Sequence, residues 1–221
     1  MKRVEGLAAL GASSALVTAG ALDQYDDAAR SIAAQVVDPA HRAYLVPCRP
    51  KDESRADDAC AAQFITEVGR LLFRRPLTAG ERELNTAVAR EAATRLNGFY
   101  PGLSAALAGM LVAPEFLLIT QIAEQDPRQK GAWRLTAHSK AARLSLLFWN
   151  AYPDDELLKA AENGSIHSER GLTAQVDRML ASPSAAAAVR SFFDDMLILD
   201  AFETLTKYIR PLDQKSAIRG T

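Results

Sequence analysis

The chain has 221 residues, 48% of them hydrophobic but only 7% aromatic, with 26 basic groups against 27 acidic ones for a net charge of −1. That balance supplies no basic excess to displace counterions from nucleic acid and no polybasic run for an anionic membrane surface, so neither is expected as a partner. No apolar stretch approaches the roughly 20 residues that span a bilayer, so membrane insertion is not expected either.

Much of the hydrophobic fraction is Ala and Leu, the best helix formers, and a chain this long buries about 70% of the surface its unfolded form exposes. The fold class expected is all-α: two packed helical subdomains, each a bundle, with no sheet. At the start, Met1-Lys2-Arg3 precedes an apolar run from Leu7 to Ala21 that closes on Ala19-Gly20-Ala21, the layout of a secretory signal. Glu5 in the charged region and Gly11-Ala12-Ser13-Ser14 in the middle count against that reading.

The first firm helix is expected over Leu22–Val37, where Tyr25, Ala29, Ile32, Ala33 and Val36 recur at helical spacing, and Asp38-Pro39 ends it. A loop of about twenty residues follows, long for a compact domain and therefore expected to be pinned. It holds Cys48 and leads to Cys60. Either the two thiols bridge the loop, which requires an oxidising compartment and contributes somewhat less than ~3 kcal/mol, or they stay unpaired with Cys60 buried on a helix.

Asp57 or Asp58 caps a second helix to about Arg75, with Phe64, Val68, Leu71 and Leu72 as its buried stripe and Arg74-Arg75 in its last turn. Thr78 and Glu81 have the spacing of a capping box, which opens a third helix to Leu96, and Asn97-Gly98 ends it. A fourth helix begins near Pro101 and is broken at Pro114. Residues Glu124 to Trp133 are polar and contain Pro127 and Gly131, the best linker in the chain.

Beyond the linker, Thr136 caps a helix with Ala141, Leu144, Leu147 and Phe148, ending near Tyr152-Pro153. Asp154, Asp155 and Glu156 open a short helix to Ala161, stopped by Asn163-Gly164. A helix over Glu169–Ala181 follows, then Ser182-Pro183-Ser184 restarts the chain into a last helix with Val189, Phe192, Phe193, Met196 and Leu197. From Glu203 the pattern fades into a mixed-charge tail.

Several ordered motifs resemble one bacterial family. Cys48-Arg49-Pro50, Cys60-Ala61, the run from Leu72 through Arg74-Arg75-Pro76-Leu77-Thr78 with Glu81, and Leu111-Val112-Ala113-Pro114-Glu115-Phe116-Leu117 resemble one of its helical domains. Arg143 to Trp149, Pro153-Asp154-Asp155-Glu156-Leu157-Leu158 and Arg178-Met179-Leu180-Ala181-Ser182-Pro183 resemble the domain that follows it there. These are domains of unknown function in large exported proteins of planctomycetes, myxobacteria and relatives, some of which carry cytochrome c-type modules.

The resemblance implies four parts. Residues 1–38 are the end of a preceding domain, 39–123 a first helical domain with the cysteine loop, 134–205 a truncated second domain, and 206–221 an irregular tail. It also implies export to the periplasm or cell surface, which supports a Cys48–Cys60 disulfide. The family's haem motif, C-x-x-C-H, is absent from this sequence, so haem is not carried over and no cofactor is expected.

Candidate ligand contacts are few. Arg74 and Arg75 have the chemistry to clamp an anion, or to serve only as the cations of a helix end. Asp154 is a carboxylate that either does chemistry or complements a helix N-terminus, since its neighbours Asp155 and Glu156 point elsewhere. Trp149 is an aromatic that either stacks a ligand or packs in the core, and it stands apart because Leu147 and Phe148 already fill the apolar stripe. His41, His138 and His167 have no ligand spacing, His138 and His167 are expected in solvent, and Ser145 lacks a nucleophile elbow. No catalytic residue or metal ligand is assigned.

Two readings of function remain. One is a structural or interaction module that associates with neighbouring domains of its parent protein or with itself, linked by resemblance to c-type cytochrome electron transfer. The other is a fragment of an envelope- or polysaccharide-acting enzyme whose catalytic residues lie partly outside this chain.

Overall fold

The structure is a computed structural model that describes residues 18–199. The signal-like start, apart from its last residues, and the tail after Glu203 lie outside the described residues. The described chain is predominantly α-helical. Its contacts divide it into two units, Val17–Ala181 and a second that holds the described stretch from Ser182 onward.

The first unit opens with helix α1 (Ala19–Val37), whose N-cap Thr18 accepts the Ala21 amide through its hydroxyl. Ala29 and Ala33 are its buried face, whereas Tyr25 and Ile32 are about half exposed. Small residues let α1 lie close to α5 (Phe99–Leu111), the apolar centre of this part of the unit. On α5, Phe99, Leu103, Ala106, Leu107 and Met110 are buried against Phe64 and Ile65 of α3 (Asp58–Leu72) and Ala89 of α4 (Ala79–Leu96). Each large side chain buried this way contributes about 2–3 kcal/mol. The α4–α5 approach is set by Gly102, where a Cβ would lie 2.5 Å from the Ala89 carbonyl and 2.6 Å from the Ala93 Cβ.

The loop before α3 is pinned, as its length required. Cys48 and Cys60 form a disulfide with a Cα–Cα distance of 5.5 Å. A single-turn helix, α2 (Arg42–Leu45), lies inside the loop, and its Arg42 sits 4.0 Å above the Tyr100 ring and 3.2 Å from Glu53. The Glu53 carbonyl accepts the Phe99 amide at 2.8 Å. Asp57 caps α3 through the Cys60 amide and also accepts the Lys51 amide.

The helix-end chemistry of Thr78, Glu81 and Asn97 is present: a full capping box opens α4, and Asn97 closes it at φ 51°. Helix α6 (Pro114–Leu117) is one turn with proline at its start. The polar stretch expected to be a bare linker carries strands β1 (Ala123–Gln125) and β2 (Trp133–Leu135), paired antiparallel, so the expectation of no sheet is corrected. Local chemistry closes this hairpin. Asp126 accepts the Arg128 amide through its side chain, Gly131 takes φ 82°, and Arg134 meets the Glu124 directly opposite at 2.7 Å. Three residues a side are too few for an alternating pattern to register.

A second hydrophobic cluster, Ala141, Leu157, Ala161, Ile166 and Met179, is built by α7 (Ala137–Trp149), α8 (Asp155–Glu162), a 3₁₀ turn (Ser165–His167) and α9 (Glu169–Ala181). Leu144, Phe148 and Trp149 pack against it, while Leu147 is 70% exposed. Helix α7 ends at Trp149, with Asn150 at φ 50°, three residues before the expected Tyr152. The second unit's described part is α10 (Pro183–Leu197), capped by Ser182.

Candidate functional site: an arginine-lined cleft

Helix α3 stops at Leu72, so Arg74 and Arg75 lie past its last turn rather than in it. Arg74 takes φ 58°, a left-handed conformation that costs a residue with a Cβ about 1–2 kcal/mol. The distortion aims its side chain across the fold. Its guanidinium donates to the carbonyls of Phe116 at 3.2 Å and Leu118 at 2.8 Å, and to that of Glu115. These carbonyls end the single turn α6 and would otherwise lack partners. Arg74 is only 6% exposed and lies 5.3 Å from the Tyr152 ring. Burial pulls its pKa below the ordinary arginine value, and no carboxylate is among the charges acting on it.

Arg75 turns the other way. It forms two hydrogen bonds to Glu81, of 2.6 and 2.8 Å, and its guanidinium carbon lies 5.8 Å from the Phe73 ring. The Arg75 bonds and the Thr78 amide together hold the Glu81 carboxyl at a pKa of about 2, despite burial that opposes it.

Between these arginines and the start of α7 is a cleft of about 360 Å³, with Phe73, Arg74, Arg75, Glu115, His138 and Ala142 among its lining residues. His138 is the second residue of α7 and is not solvated as expected: its Nε2 is buried without a hydrogen-bond partner. Burial lowers its pKa; Glu162 opposes this, and Arg75 and Arg70 add to it. Ser139 beside it accepts the Ile122 amide at 2.9 Å and the Thr136 hydroxyl at 3.0 Å, tying the hairpin to α7.

Trp149 and Asp154 lie with a different group. Asp154 caps α8 by accepting the Leu157 amide at 2.9 Å, and it receives two bonds from Arg178, of 2.6 and 3.0 Å. Burial raises its pKa, but the Arg178 and Leu157 bonds outweigh this and the carboxyl ends below the usual range. Arg178 also reaches Glu156 at 3.2 Å and lies 5.3 Å from the Trp149 ring. The Trp149 indole donates to the Met179 carbonyl at 2.9 Å. Trp149 is therefore a packed, hydrogen-bonded residue, and the exposed aliphatic of its helix end is Leu147.

The sequence candidates thus separate into Arg74 and Arg75 at the cleft and Trp149 and Asp154 in the Arg178 cluster. Between them, Arg70 of α3 links to α8 through Asp155 at 2.8 Å and Glu162 at 2.6 Å. His138 was missed as a cleft residue, because a histidine alone at the start of a helix gives no signal of what packs over it. His167 also is largely covered, with its side chain 10% exposed, 3.6 Å from Glu124. Among the described residues no group of three or more His, Cys, Asp or Glu is placed to hold a metal.

Residues 60–120 match the family model described as PSD5, protein of unknown function (DUF1595), and residues 135–214 match that of PSD4, protein of unknown function (DUF1592). No curated protein and no solved structure matches the chain. The two matched stretches are consecutive, the first ending before β1 and the second starting at Leu135, the last residue of β2, so the chain carries two domains of unknown function in tandem, one matching each family.

Proposed function

We propose that this chain is a structural and interaction module of a larger exported bacterial protein, one linked to c-type cytochrome electron transfer. Its two domains are residues 39–123 and 134–205, preceded by the end of another domain (1–38) and followed by a tail (206–221). Partners are neighbouring domains of the parent or a second copy of the chain.

The observation that carries this reading is the apolar face of α10. No residue of that helix is buried, and Phe192 is 50% exposed, with Phe193, Met196 and Leu197 exposed beside it. Patches of this kind mark association surfaces. The Cys48–Cys60 disulfide supports an exported location, because such bonds persist in oxidising compartments. Arg70, Arg74, Arg75, Asp154 and Arg178 all have architectural partners, which favours a scaffold over a reacting site.

Sedimentation velocity tests this. The chain is expected to associate as its concentration rises, and Phe192→Asp is expected to return it to a monomer with unchanged helix content. A monomer at all concentrations would remove the reading's main support.

A further inference from the structure

We propose that the cleft between the end of α3 and the start of α7 binds a small organic acid, its carboxylate facing Arg74 and its apolar body lying along Phe73 and Ala142. The charge pattern is the first argument. Nine other described arginines of this unit have carboxylate partners, among them Arg70 with Asp155 and Glu162, Arg75 with Glu81, and Arg178 with Asp154 and Glu156. Arg74 is the most deeply buried of them, yet among the described residues its partners are carbonyl oxygens and an aromatic ring. Carbonyl dipoles satisfy its N–H groups without cancelling its charge, and a buried charge left uncompensated is costly. An anion in the adjoining cleft supplies what is missing.

Shape and polarity narrow the ligand. About 360 Å³ is near the lower end for small-molecule sites. Phe73 and Ala142 are buried apolar residues of its wall, which suits a ligand with an apolar body. Glu115 also lines the cleft, and its negative charge is felt at Arg75, so a second negative charge on the ligand would be repelled. A monoanionic carboxylate fits this better than a phosphate dianion. His138 is a further lining residue, and its Nε2 is buried without a hydrogen-bond partner, a polar group that a ligand could satisfy. The left-handed backbone at Arg74 is the kind of local strain that gathers at ligand sites.

The full chain is titrated with benzoate, with uncharged benzamide and with inorganic phosphate, following the imidazole resonances of His138 and the Arg74 side-chain resonance by NMR. Benzoate is expected to shift both saturably and to bind at least about tenfold more tightly than either control. Because Arg74→Met removes a clamp that the fold needs, the decisive variant is Ala142→Leu, which fills the cleft without touching a charge. It is expected to abolish benzoate binding while leaving the circular dichroism spectrum intact. Benzamide binding as tightly as benzoate, phosphate binding more tightly, or benzoate binding unchanged in a folded Ala142→Leu would each overturn the proposal.

Discussion

Arg75 and Glu81 are joined by two hydrogen bonds, 2.6 and 2.8 Å long, and the same carboxylate accepts the Thr78 amide at 2.7 Å. One carboxylate therefore closes both the capping box of α4 and the salt bridge beside the cleft. Its pKa falls from 4.5 to about 2, so the stability it contributes is complete above about pH 4.5 and is lost as pH falls toward 2. With a side chain still 23% exposed, that contribution is about 1–2 kcal/mol after solvent screening. Glu81→Gln should lower stability by that amount at neutral pH and flatten the acid limb, as measured by urea unfolding across the pH series.

Arg74 gives a sharper test of the same region. At φ 58°, glycine would relieve backbone strain and on that ground alone stabilise the chain by about 1 kcal/mol. If the guanidinium holds the carbonyls of 115, 116 and 118, losing it costs more than the relief returns. Arg74→Gly is expected to be destabilising by about 1–3 kcal/mol in chemical denaturation.

The Cys48–Cys60 bridge closes a loop across a sequence separation of 12. Replacing both cysteines by serine should cost about 2–3 kcal/mol, and adding reductant to the native chain should cost a similar amount. No effect of reductant on a chain shown by mass to be bridged would contradict the pinning role assigned to this bond.

Helices α4 and α5 tolerate nothing larger than hydrogen at Gly102. Gly102→Ala improves helix propensity by about 1 kcal/mol but forces backbone apart at Ala89 and Ala93, so a net loss of about 1–3 kcal/mol is expected in thermal unfolding.

Much of this was legible in the sequence because it is local. Thr78 with Glu81, Asn97 before Gly98 and Asp154 before an apolar pair each announce a helix end within four residues, and each is there. Arg74 was not legible in the same way. Its spacing favours a helix terminus, whereas its real partners lie 41 to 44 residues away and only tertiary packing brings them together. The same limit applied to Trp149 and Leu147, whose order on the apolar stripe was inverted: α9 lies over Trp149 and accepts its indole N–H through Met179. The hairpin escaped because three-residue strands carry no readable period.

Placing a photo-crosslinking phenylalanine analogue at Phe192 tests the interaction-module reading most directly, with the same analogue at Arg82 of α4 as control. Irradiation of the otherwise native chain, followed by peptide mass spectrometry, reports what that half-exposed side chain touches in solution. The account predicts a covalent dimer from position 192, joined through peptides of two copies, and little from position 82. Crosslinking from 192 that is confined to a single chain, with the protein monomeric throughout, would contradict it.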